Sequence, residues 1–145
     1  MKKYTLMLAA FALFFLTKST AAQTNAVFTG AKLTLKSYNA LYILNSNDDK
    51  KIKATLRNLD NALEDPRLKG KLHVELIAFG DGVSVFMKTN PYEETLKNLQ
   101  AKGEILAQCN NTVRERKIDK NDLFDFISYV PSGTITSLQK LLNRR

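Results

Sequence analysis

The chain reads as an α/β protein: a mostly parallel sheet with helices over both faces. Three observations predict this. Short apolar runs and stretches of helical period alternate along the chain. The strand runs are near-continuously apolar, as in strands buried on both sides, rather than alternating as in a half-exposed sheet. A helical stretch separates consecutive runs, as a parallel connection requires.

The elements follow in order. Tyr38-Asn-Ala-Leu-Tyr-Ile-Leu44 is the first strand, closed by Asn45-Ser-Asn-Asp-Asp49, which suits a turn and an N-cap. Ile52, Leu56, Leu59 and Leu63 recur at helical spacing until Asp65-Pro66 ends the helix. Leu72 to Phe79 is the second strand, stopped by Gly80-Asp81-Gly82, and Val83 to Lys88 suits one short helical turn. Asn90-Pro91 opens a helix with Tyr92, Leu96 and Leu99 inward and Gly103 as its stop. Glu104 to Gln108 is the third strand. Thr112-x-x-Glu115 matches a capping box, so a helix is expected to start near Asn110–Thr112. A short helix over Asp119–Asp125, a strand over Phe126–Val130, the turn Pro131-Ser-Gly133 and a helix over Thr134–Asn143 complete the chain.

The N-terminus predicts export. Lys2 and Lys3 precede an apolar run from Tyr4 to Leu16, and Thr20-Ala21-Ala22 supplies the small residues of a cleavage site. The run is too short for a stable membrane anchor. Residues 1–22 are thus read as a cleaved signal peptide, residues 23–36 as a tail or short edge strand, and residues 37–145 as one domain. Cleavage removes Lys2, Lys3 and Lys18 and lowers the formal net charge from +8 to +5. The remaining cations are scattered and not interleaved with aromatics, which argues against a nucleic-acid partner. The expected compartment is the periplasm.

Cys109 is the only cysteine. An exported chain with one thiol has no internal disulfide to make, so the thiol is free or pairs with another chain. It closes the third strand and faces the start of the next helix, with Arg114, Arg116 and Lys117 just beyond. Unpaired N–H groups and cations favour a thiolate there. The same placement equally suits a cysteine that merely fills the core. His73, the only histidine, falls at the start of the second strand, the wrong end of the sheet for a Cys–His pair. A zinc site lacks its three or four ligands, and no cofactor motif is present: Gly80-Asp81-Gly82 has neither dinucleotide nor P-loop spacing. Glycines at positive φ in a tight turn explain that segment. In a parallel sheet ligands gather at the carboxyl ends of the strands, so the loops Asn45–Asp48, Gly80–Gly82, Cys109–Thr112 and Pro131–Gly133 should meet at one edge.

Four blocks in this order resemble the DsrE/DsrF-like family: Lys53-Ala-Thr-Leu-Arg-Asn-Leu59, Val74-Glu-Leu-Ile-Ala-Phe-Gly-Asp-Gly82, Cys109-Asn-Asn-Thr-Val-Arg-Glu-Arg-Lys-Ile118 and Tyr129-Val-Pro-Ser-Gly133. The resemblance spans roughly residues 38–142. It implies a three-layer α/β/α fold with a mostly parallel sheet of four to five strands, and homo-oligomers, trimeric or hexameric. For the sulfur-relay members it also implies a cysteine that carries sulfane sulfur as a persulfide, which corresponds to Cys109 here. Asn110 stands where many members have glycine. The expected function is a periplasmic sulfur carrier acting through Cys109, with small sulfur species or a thiol acceptor protein as partners. Gly80, Asp81, Gly82, Asn110, Asn111, Thr112, Arg114, Ser132 and Gly133 are expected to form the binding site around it. The alternative is a non-catalytic oligomeric binding module with a structural Cys109. A redox sensor linking two chains through Cys109 is a third expectation.

Overall fold

The computed structural model describes residues 32–136. The expected signal peptide lies outside the described residues, as does the last expected helix beyond Thr136. Residues 32–36, the described part of the expected tail or edge strand, carry no strand.

Four strands form one sheet in chain order: β1 (Tyr38–Leu44), β2 (Leu72–Ala78), β3 (Ile105–Cys109) and β4 (Ser128–Val130). All neighbours are parallel, with Tyr38 opposite Leu72, Glu75 opposite Ile105, and Cys109 opposite Val130. Helix α1 (Asp49–Glu64) joins β1 to β2. A 3-10 stretch (Gly80–Phe86) and α2 (Glu93–Ala101) join β2 to β3. Helix α3 (Asn110–Glu115) and a 3-10 turn (Lys120–Asp122) lead to β4. The α/β class and the parallel sheet are as the apolar runs indicated.

One face of the sheet holds the core: Val74, Leu76 and Ala78 of β2 and Leu106 of β3 cluster with Ile52, Leu56 and Leu59 of α1 and Leu96 and Leu99 of α2. The other face is also buried at its centre, where Ile77 and Ala107 are 0% and 1% exposed. Burial on both sides is why Leu76-Ile-Ala78 of β2 and Leu106-Ala107 of β3 are continuously apolar, whereas the first half of β2 alternates with His73 and Glu75.

Local chemistry sets the ends of the elements. Asp48 caps α1 by accepting from the Lys51 N–H at 2.8 Å. Asp65 and Pro66 end α1 because the backbone before proline turns extended, here at ψ 116°. Helix α2 starts later than Asn90-Pro91 indicated, with Tyr92 as its N-cap residue, and the Asn90 Nδ2 donates to the Ser84 carbonyl at 2.6 Å. Beyond the 3-10 stretch the backbone zips to the segment before β4. The Lys88 N–H donates to the Asp122 carbonyl at 2.8 Å and the Phe124 N–H to the Phe86 carbonyl at 3.0 Å. That zipper carries Phe86, Leu123 and Phe124 into the core.

One buried group fits the apolar scheme poorly. Glu104, just before β3, is 3% exposed, and neither carboxyl oxygen has a hydrogen-bond partner. Burial first, and the charge of Asp60 second, push its pKa up to about 7.

Candidate functional site

The carboxyl ends of β2, β3 and β4 bring three separate chain segments to one sulfur. Cys109 ends β3 and is the N-cap residue of α3, with extended backbone at φ −69° and ψ 119°. It is 4% exposed. The Gly133 N–H, from the turn after β4, donates to its Sγ at 3.2 Å. The N–H groups of Asn111 and Thr112 and the Thr112 hydroxyl lie at the same helix start and favour the charged form of the sulfur, although Cys109 forms no side-chain cap bond to α3. The loop after β2 closes the set, because the Gly80 N–H donates to Thr112 Oγ1 at 2.9 Å. With that oxygen accepting from Gly80, the Thr112 proton is free to point at the sulfur.

Two opposed influences act on the thiol. Burial is the larger single one and pushes its pKa up. The surrounding donors push the other way: the Thr112 N–H, the Gly133 N–H, the Thr112 hydroxyl and the Asn111 N–H. Together they win, and the thiol sits below its ordinary range. The site is thus a small group of donors that favours an anionic sulfur, with no cation of the described residues contributing.

The sequence-predicted site residues divide clearly. Gly80, Asn111, Thr112 and Gly133 converge on Cys109. Thr112 does so in a different role from the expected one: it lies inside α3, not at its start, and its side chain joins Gly80 to the sulfur rather than capping Glu115. Asn111 contributes its backbone N–H, and half-buried Asn110 adds nothing to the sulfur's hydrogen bonding. Ser132 caps the next helical turn, its hydroxyl accepting from the Ile135 N–H at 3.4 Å and its carbonyl from the Thr136 N–H at 2.9 Å.

The cations do not help the thiol as expected. Arg114 is exposed in the last turn of α3, and Arg116 is bound to Asp81 at 2.8 Å. Asp81 is therefore spent on an exposed ion pair. Gly82 is not a positive-φ turn glycine; it is there because the backbone of Leu44 lies against it, whereas Gly80 does take φ 55°. His73 is exposed at the amino end of β2, opposite Asn39, away from the thiol. Gln108 was missed. Its signal was a lone amide in the run Ile105-Leu-Ala-Gln-Cys109.

The model of the DsrE/DsrF-like family matches residues 9–145 of the chain. The chain belongs to the DsrE/DsrF-like family. Two solved structures share its fold. One is a protein of unknown function, MTH1491 from Methanobacterium thermoautotrophicum, 22% identical with a TM-score of 0.68, covering 73% of this chain and 93% of that one. The other is the ychN protein from E. coli, 14% identical with a TM-score of 0.54, covering 74% and 93%. Among curated proteins none matches the chain. The family's sulfur-relay-type fold is therefore the frame for Cys109 and its donors.

Thr112→Val removes the hydroxyl that links Gly80 to the sulfur while keeping the shape of the side chain. The expected result is a thiol titrating at higher pH and a loss of about 0.5–1.5 kcal/mol, because the half-buried Gly80 N–H loses its acceptor. Thiolate absorbance against pH and urea unfolding check the two effects. An unchanged titration would remove Thr112 from the donor set.

Proposed function

We propose that this chain is a sulfur carrier of the periplasm that holds sulfane sulfur on Cys109. The observation that carries the reading is the placement of Cys109 at a strand end and helix start, with the Gly133 N–H donated to its Sγ at 3.2 Å and donors that hold the thiol below its ordinary range despite burial. Membership of the DsrE/DsrF-like family supports it. The lysine-led apolar N-terminus and the small residues Thr20-Ala21-Ala22 support the periplasmic part of the reading.

In the loading step the Cys109 thiolate attacks the sulfane sulfur of thiosulfate or a polysulfide. A new S–S bond forms, and the donor's own bond to that sulfur breaks. Sulfite or the shortened polysulfide leaves with the electron pair, and Cys109 becomes a persulfide anion. In unloading, an acceptor thiolate attacks the outer sulfur and Cys109 departs as thiolate. No external oxidant is consumed. The N–H groups and the Thr112 hydroxyl favour the anionic sulfur that starts and ends the cycle. Reaction also requires the cover over the thiol to yield, because Cys109 is 4% exposed.

That burial favours a second reading: a non-catalytic binding module, a homo-oligomer in which Cys109 is structural. Intact mass separates the two. After incubation with polysulfide or thiosulfate and desalting, the carrier gains one or more sulfur atoms, lost again on reduction. Cys109→Ser gains none and stays folded. A wild-type protein that takes no sulfur and resists alkylation would transfer the argument to the binding module.

A further inference from the structure

The residue before the cysteine carries an unexplained cost. Gln108 lies on the core side of β3, in step with Leu106, and is 0% exposed. Its Oε1 has no hydrogen-bond partner. A methionine would fill a similar volume without burying an unmet carbonyl. The amide makes one hydrogen bond, and it falls at the junction of strand and helix: Nε2 donates to the Cys109 carbonyl at 3.2 Å. The reverse orientation of the amide would set two acceptors face to face, so the donor end must point at that carbonyl.

The carbonyl is well placed to control the site. As N-cap residue, Cys109 offers the first acceptor of α3. Its peptide plane also sets the direction in which the chain enters α3, and hence where the Asn111 and Thr112 N–H groups lie relative to Sγ. With only six residues, α3 has little length of its own to hold that direction.

We propose that Gln108 is a positioning residue for Cys109: by anchoring the Cys109 carbonyl it fixes the direction in which α3 leaves the strand and so keeps the N–H groups of its first turn facing the sulfur. The proposal rests on the reading of Cys109 as the reactive thiol, but it concerns the state of the sulfur before any donor arrives. A side chain that merely packed the core would leave the thiol's titration untouched.

The test is Gln108→Met in the full chain. Ultraviolet absorbance of the thiolate is titrated against pH, with Cys109→Ser subtracted to remove tyrosine ionisation, and unfolding is followed in urea. The expected result is a titration midpoint about 0.5–1 pH unit higher, leaving roughly three- to tenfold less thiolate below the midpoint. Unfolding should need as much urea as for the wild type or more, since the unmet carbonyl is gone. An unchanged midpoint would overturn the proposal, as would a variant that unfolds at clearly lower urea, which marks Gln108 as a packing residue. Sulfur uptake by the wild type, read by intact mass, is scored separately. If the wild type takes no sulfur while the midpoint still moves, the carrier reading fails and the positioning role of Gln108 stands.

Discussion

Gly82→Ala is expected to destabilise the protein by about 3 kcal/mol or more, a large part of the stability of a small domain. A Cβ at this position would lie 2.0 Å from the Leu44 carbonyl oxygen and 2.6 Å from its carbon. Both are backbone atoms at the end of β1, so no side chain can swing aside to make room. Relief requires the 80s loop and the end of β1 to part by about 1 Å, toward ordinary contact distance. The Leu44 carbonyl also accepts the Phe79 N–H at 3.0 Å, so that parting strains the bond holding the loop to the sheet. The same loop presents the Gly80 N–H to Thr112. The substitution should therefore lower the urea midpoint and raise the pH at which Cys109 ionises. A variant within about 0.5 kcal/mol of wild type would mean that the contact is not as tight as described.

Glu104→Gln is expected to leave acid stability nearly unchanged and to stabilise the protein above neutral pH. The wild-type carboxyl titrates at about 7 in the folded chain against an ordinary value of 4.5. Between those values the folded protein holds a proton that the unfolded chain has released, so stability falls as pH rises. The contribution is fully present below 4.5 and is lost as pH passes through about 7. Its size is up to about 3 kcal/mol. Burial is the main cause, since the carboxyl is 3% exposed and neither oxygen is met by a donor. Glutamine has the same shape and never ionises. Urea unfolding of both proteins at pH 5 and pH 8 checks the claim. Parallel pH dependence of the two would show that Glu104 does not carry it.

Much of the scaffold was legible because burial writes itself into local sequence. The apolar runs Tyr38–Leu44 and Leu72–Phe79 and the spacing of Ile52, Leu56 and Leu59 need only period and polarity to be read. Turn chemistry was nearly as clear: Asp48 caps α1, Pro66 follows its end, and Gly103 takes φ 94° after α2. Local signals misled where the residue was bound elsewhere in the structure. Asn90 bonds the Ser84 carbonyl, and α2 begins at Glu93. Thr112 matched a capping box, but Gly80, 32 residues earlier in the chain, claims its hydroxyl.

The sequence by itself determined the α/β class, the strand order's raw material, and the placement of the lone thiol at a strand end. Those depend on each residue's own polarity and on neighbours a few positions away. Only the tertiary structure decided what surrounds that thiol. Gly133, Thr112 and Gly80 meet there because parallel pairing stacks the carboxyl ends of β2, β3 and β4, a register to which no single segment refers. The cations nearest in sequence go elsewhere, Arg116 to Asp81 and Arg114 to the exposed last turn of α3. Hydrogen bonds act over about 3 Å, so proximity in space and not along the chain chose the groups that set the charge of Cys109.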